Sequence, residues 1–189
     1  MKNLESNQEL IQDIDTPLLL AYYKSKLCLL STISQSKIGA VQVLNAGIFF
    51  AIAKSGLFAV DPDIGLGTSL CILYMRTTNY LVDVENPDSL RNYYDLLLSM
   101  LRIISGIVLS RGPQNQRSTE QARQFLDENR LSMVSIFKRQ SKVTISRNQK
   151  ENDRRVEDIL DELVEIFVLL ISLTGFMDVS LPNLLAGTA

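Results

Sequence analysis

NPDSLRNYYDLLLSMLRIISGIVLSRGP, residues 86–113, is the stretch whose reading decides the fold class. Proline at the first position of a helix loses no hydrogen bond, because the first N–H groups have no intrahelical acceptor. Gly112-Pro113 supplies the opposite signal: a residue free to adopt a left-handed cap, then one that cannot continue the helix. Between these ends the sequence predicts a single helix from about Asp88 to Ser110. Leu90, Tyr94, Leu97, Leu101, Ile104 and Val108 form one apolar stripe at spacings of three and four, and Tyr93, Leu96, Met100, Ile103 and Ile107 form a second. A helix apolar over that much of its circumference must be covered on more than one side, as in a bundle interior or a stacked solenoid.

Downstream, Ser118 followed by Gln121 has the spacing of a capping box and predicts a helix through Ala122, Phe125 and Leu126 that ends at Asn129. Leu131 to Phe137 adds one or two amphipathic turns, and a polar stretch runs from Lys138 to Arg155. The stretch from Arg154 to Thr174 predicts a long helix, with Val156, Ile159, Leu160, Leu163, Phe167 and Leu170 on one face and Glu157, Asp158, Asp161, Glu162 and Glu165 largely on the other. After Gly175 the tail, 176–189, contains Pro182 and small residues, and fraying is expected there.

Upstream, Thr16-Pro17 reads as an N-cap and first helical position for a helix over Leu18 to Ile33 that ends near Ser34. Ser36 can cap a short helix carrying Ile38, Val41, Val43 and Leu44, and Asn45 a third with Ile48, Phe49 and Ile52 that stops at Gly56. Asp61-Pro62-Asp63 with Gly65 and Gly67 is turn chemistry. No internal repeat is visible, so two all-α architectures remain: a compact bundle, or an irregular HEAT- or armadillo-like α-solenoid whose repeats share geometry rather than residues.

Composition agrees with helix. The 189 residues are 46% hydrophobic and 21% charged, with nine glycines, five prolines and no tryptophan, too few turn residues for a many-stranded sheet. Net charge is −2 but segregated: residues 1–110 carry 8 basic and 10 acidic side chains, residues 111–155 carry 11 and 5, and residues 156–189 carry 0 and 6. No early apolar run marks a signal peptide, and the run from Ile166 to Ile171 falls short of the roughly 20 residues a membrane span needs, so direct membrane insertion is not expected.

Histidine is absent, which removes the commonest general base and metal ligand, and the two cysteines, Cys28 and Cys71, form no paired motif. No zinc site, disulfide framework, cofactor site or Ser-His-Asp mechanism is expected. Gly65-Leu66-Gly67-Thr68 lacks the length and the lysine of a phosphate-binding loop. The basic residues from Arg111 to Arg155 offer a rival reading as a nucleic-acid-binding module, against the plainer one of solvated helix faces; only Phe125 and Phe137 interleave with them as stacking platforms.

Ordered blocks of the chain resemble a known family. Lys37-Ile38-Gly39-Ala40, Val43-Leu44-Asn45-Ala46-Gly47-Ile48-Phe49, and Ser55-Gly56-Leu57-Phe58-Ala59-Val60-Asp61-Pro62-Asp63 are similar to the C-terminal region of the largest, fungal, inner-ring scaffold nucleoporins of the nuclear pore complex. So are Met100-Leu101-Arg102, Val108-Leu109-Ser110-Arg111-Gly112, Ala122-Arg123-Gln124-Phe125-Leu126 and Ile136-Phe137-Lys138-Arg139. The resemblance implies a non-catalytic α-solenoid segment, the C-terminal end of a longer polypeptide, located in the nucleus at the nuclear envelope. It also implies partners: other inner-ring nucleoporins and a short helical motif of a linker nucleoporin, supporting nucleocytoplasmic transport, with no small-molecule substrate. A soluble trafficking adaptor built from similar repeats is the same-class alternative.

Three expectations follow. If the chain ends a solenoid, Leu10, Ile11 and Ile14, or Leu18 to Leu20, form an exposed apolar patch where earlier helices belong. Residues 67–82 interrupt the resemblance and read either as translated intron or as a natural loop or short helix, because Gly67-Thr68 is compatible with a splice donor and Thr78-Asn79-Tyr80-Leu81 with a branch element and acceptor. On the last helix, Leu163, Phe167, Leu170 and Phe176 are the candidate partner-binding anchors beside an acidic half that steers a basic segment; the alternative is that they pack against the Leu90 to Val108 helix.

Overall fold

Each predicted helix brings one or two apolar stripes, so the fold is the arrangement that lets them cover one another. The computed structural model describes residue 18 and residues 20–59, 87–145 and 151–176. Among these the regular elements are all helical: α1 (residues 20–34), α2 (Lys37–Asn45), α3 (Ile48–Lys54), a 3-10 turn (Leu57–Ala59), α4 (Pro87–Arg111), α5 (Gln116–Glu128), α6 (Arg130–Ile145) and α7 (Glu151–Thr174). Thr16-Pro17, the 67–82 insert, Leu10, Ile11, Ile14, Leu19 and the tail beyond Phe176 lie outside the described residues.

Helix α4 is the axis of the core, packed by α2, α5 and α7. Both of its predicted seams are buried, and Leu97, Leu101, Ile103, Ile104, Ile107 and Val108 have no accessible surface. Burying each such side chain stabilises the fold by about 1.5–3 kcal/mol. Leu90–Arg111 is long and apolar enough to cross a membrane, but 67% of its most apolar window is buried inside the protein, as befits a core helix.

α1 lies along α4 in the same direction. Near its start Lys24 Nζ donates to Asn92 Oδ1 (3.0 Å) and Asp95 Oδ2 (2.9 Å), and at its end Ser110 Oγ donates to the Ser34 carbonyl at 2.8 Å. Gly106 is what permits this approach, since a Cβ there would fall 2.5 Å from Ser34 Oγ. Ser36 caps α2 as expected, accepting from Gly39 N at 3.0 Å. The expected cap of α3 is corrected: Asn45 ends α2, Gly47 at φ 78° makes the turn, and the two axes bend by 53°. Asn45 instead accepts from Arg117 Nη1 at 2.9 Å, tying α2 to α5. The 3-10 turn locks onto the core through Phe58, edge-on to Phe125 at 5.0 Å, and through its Leu57 carbonyl, which accepts from Tyr93 Oη at 3.1 Å.

Gly112, at φ 81°, closes α4 as predicted, and its N–H donates to the Val108 carbonyl at 2.9 Å. The cap of α5 lies three residues before the expected one: Asn115 is the N-cap, accepting from Ser118 N, while Ser118 is buried and donates back to the Asn115 carbonyl. Asparagine caps as well as serine, and the reversal at Gly112 places Asn115 first. Asn129 ends α5 as expected. α6 runs to Ile145, beyond the predicted turn or two, because Lys138 to Ile145 holds no helix breaker and Gln140 Nε2 reaches Asp161 Oδ1 at 3.0 Å on the neighbouring helix.

Candidate partner-binding surface

α7 packs against α4, α5 and α6, so three neighbours share its apolar circumference. Leu160, Leu163, Phe167 and Leu170 have no accessible surface, and the Phe167 ring meets Phe137 of α6 edge-on at 6.1 Å. On the α4 side Arg102 grips Glu162 with two parallel bonds of 2.7 Å. Both partners are substantially exposed, so the pair fixes orientation more than it stabilises.

The C-terminal end of α7 is closed with care. Gly175 turns the chain at φ 59°, and Phe176 N–H donates to the Ile171 carbonyl at 3.3 Å. The Thr174 carbonyl, left without an intrahelical donor, accepts from Arg123 Nε at 3.0 Å and also from Nη2. A guanidinium here also meets the negative end of the helix dipole. Phe176 folds back under Arg130, whose guanidinium carbon lies 4.8 Å from the ring centroid, and only 5% of Phe176 is exposed.

All four candidate anchors are therefore interior: Leu163, Phe167 and Leu170 lie in the core and Phe176 lies beneath Arg130. The sequence marked them as apolar but could not show that three helices converge on them. The open surface of α7 is a different stripe: Asp158, Asp161, Glu165, Val168 and Ser172, spaced by three and four, are exposed. Three contacts fix α6 and α7 as antiparallel, Gln140 with Asp161, Phe137 with Phe167 and Arg130 with Phe176. Val134 then lies level with the turn that holds Val168. These two side chains, 42% and 51% exposed, rim a seam with half-buried Phe137, Val164 and Ile171. Acidic side chains bound the α7 side, while Lys138 and Lys142 are exposed on α6. Val134 and the still more exposed Leu131 were missed at the sequence level, where their run read only as an amphipathic turn.

Much of the basic region is engaged within the fold. Arg117 bonds Asn45, Arg123 caps α7, Arg130 pairs with Asp127 at 2.8 Å and covers Phe176, and Arg139 lies over the Tyr94 ring at 5.7 Å. These roles favour the plainer reading over phosphate recognition. A shallow depression lined by Gln116, Arg117, Glu120, Gln121 and Gln124 sits on one face of α5, where Gln116 Nε2 donates to Glu120 Oε1. Among the described residues no group of three or more histidine, cysteine or acidic side chains could hold a metal ion.

The amino-acid sequence that builds this fold is similar to those of known proteins. Residues 1–174 match the model of the family described as nuclear pore complex scaffold, nucleoporins 186/192/205. A curated relative, nucleoporin NUP192 of Chaetomium thermophilum, is 27% identical over 183 residues, an alignment that covers 83% of this chain. The chain spans 9% of that relative's length. It belongs to the nucleoporin 186/192/205 family of nuclear pore complex scaffolds, α-solenoid components of the nuclear envelope.

Proposed function

We propose that this chain is the C-terminal end of an inner-ring scaffold solenoid and that α7, with the turn after it, receives a short amphipathic helix of a linker nucleoporin. The observation that carries the reading is the α6–α7 seam, where Val134 and Val168 stand open beside Asp161 and Glu165. A helix laid in such a groove gains affinity from apolar anchors, and a basic stripe on it gains encounter rate from the acidic flank. In this reading Leu163, Phe167 and Leu170 act from below, holding α7 in place. Phe176 becomes a direct contact when the Arg130 side chain, half exposed and held by Asp127, swings aside.

Three substitutions test it by circular dichroism and pull-down with the linker nucleoporin. Phe167→Glu buries an unpaired charge in the core and is expected to unfold the chain. Val168→Glu lies on an exposed face, and Phe176→Glu places its carboxylate beneath Arg130, so both are expected to keep the helical signal and lose binding. Unchanged binding by both folded variants would refute the site.

A further inference from the structure

The two walls of the α6–α7 seam carry opposite charge. On α6 the exposed stripe of Leu131 and Val134 continues at spacings of four into Lys138 and Lys142, both exposed. On α7 the stripe that holds Val168 runs back at spacings of three, four and three through Glu165, Asp161 and Asp158, also exposed. Both helices rise about 1.5 Å per residue, so the antiparallel register that sets Val134 level with Val168 brings Lys138 level with the turn of Glu165 and Lys142 with the turn of Asp161. Among the described residues Lys138, Lys142, Asp158 and Glu165 enter no ion pair, and the Asp161 carboxylate accepts from the Gln140 amide. Both rows therefore keep their fields toward whatever enters the seam.

We propose, resting on the reading that the seam receives a helix of a linker nucleoporin, that this helix carries charge of both signs: a basic flank toward α7 and an acidic flank toward α6, with Lys138 and Lys142 as the residues that select it. A helix lying between the two rows turns one flank to each. If both flanks were basic, the first would satisfy Asp161 and Glu165 while the second met the lysines, and like charges placed together suppress a wrong partner. A helix acidic on both flanks meets the converse penalty on the α7 side. Only a two-signed helix is complementary to both walls.

The charges occupy one half of the seam. From Lys138 toward the start of α6 the walls become Leu131 and Val134, opposite Val168 and Ser172, all uncharged, over a floor that includes half-buried Ile171. The occupant therefore sets its apolar anchors at that end and its two charged flanks at the other. Leu131 and Lys142 lie about 17 Å apart along α6, which is about three turns of helix. A free helix of that length is marginal in water, so the segment becomes helical as it docks. Apolar anchoring then carries the affinity, and the charged half fixes which way the helix faces.

Charge reversal on the α6 wall tests this in the full chain, with the linker nucleoporin as probe and its dissociation constant read at low salt. Lys138→Glu with Lys142→Glu is expected to weaken binding about tenfold, and Lys138→Gln with Lys142→Gln about threefold, both with an unchanged helical signal because the two lysines are exposed. Unchanged or tighter binding by the Glu pair overturns the proposal, since a wholly basic helix gives that result. The Gln pair decides in the same way if the Glu pair loses its helical signal. Val168→Glu separates the two readings. If it abolishes binding while the lysine variants bind as well as the parent chain, the seam remains the site and the two-signed occupant is refuted. If it binds unchanged, the seam is not the site and the proposal falls with it.

Discussion

At the scale of single residues, Gly106 and Ser34 decide how closely two helices approach. Gly106 sits inside a helix, where glycine costs about 1 kcal/mol relative to alanine, so its presence needs a packing reason. That reason is Ser34, fully buried, whose Oγ donates to the Ser31 carbonyl at 2.8 Å and would lie 2.5 Å from an added methyl group. Gly106→Ala is predicted to destabilise by about 1–3 kcal/mol, the usual range for overpacking. With Ser34→Ala the nearest atom becomes Cβ at 3.5 Å, an ordinary contact, so the double variant should recover most of the loss. Urea denaturation of the two single variants and the double variant measures this coupling, and additive losses would show that the contact is not the cause.

At the scale of elements, the same apolar composition has different outcomes in α4 and α7. α4 is enclosed and its two seams are consumed by neighbours. α7 is enclosed on three sides, and its remaining stripe changes from acidic to apolar along its length, which is why a partner helix is proposed for the seam with α6 rather than for the buried phenylalanines. The segment over residues 67–82 raises a prediction of its own. If it is translated intron, the major spliced transcript joins the codons on either side of it, and the protein lacking it should fold with α4 intact. Sequencing the transcript checks this, and a major message that retains those codons would establish the segment as native.

At the scale of the whole molecule, surface apolarity is uneven. Seven of the eleven large, exposed hydrophobic side chains among the described residues fall in α1, α2 and α3 and the position just before them. Leu18, Tyr22, Leu29 and Ile33 share one side of α1, and Tyr23, Ile38 and Phe50 are open beyond it. A solenoid end is expected to look this way, because each layer leaves a face for the one before it. A polypeptide lengthened upstream should therefore bind less of an apolar dye per molecule and show less self-association on a sizing column than the 189-residue chain. Equal behaviour of the two would count against stacking at this end.

The sequence by itself determined the helices and their class, since periodicity and cap chemistry are local: Pro87 and Gly112 bound α4, Ser36 caps α2, and two full seams marked α4 as a core helix. The ordered blocks of residues also sufficed to indicate the family. Tertiary structure alone decided which apolar residues of α7 are floor and which are surface, because Phe167 and Val168 are neighbours with equally apolar side chains and differ only in which helix stands opposite. It likewise decided the roles of Arg123 and Arg130, whose partners Thr174 and Phe176 lie some fifty residues away in the chain and come within reach only when α5, α6 and α7 pack. Local pattern fixes the direction of a side chain relative to its own helix, whereas burial depends on neighbours that no single helix can specify.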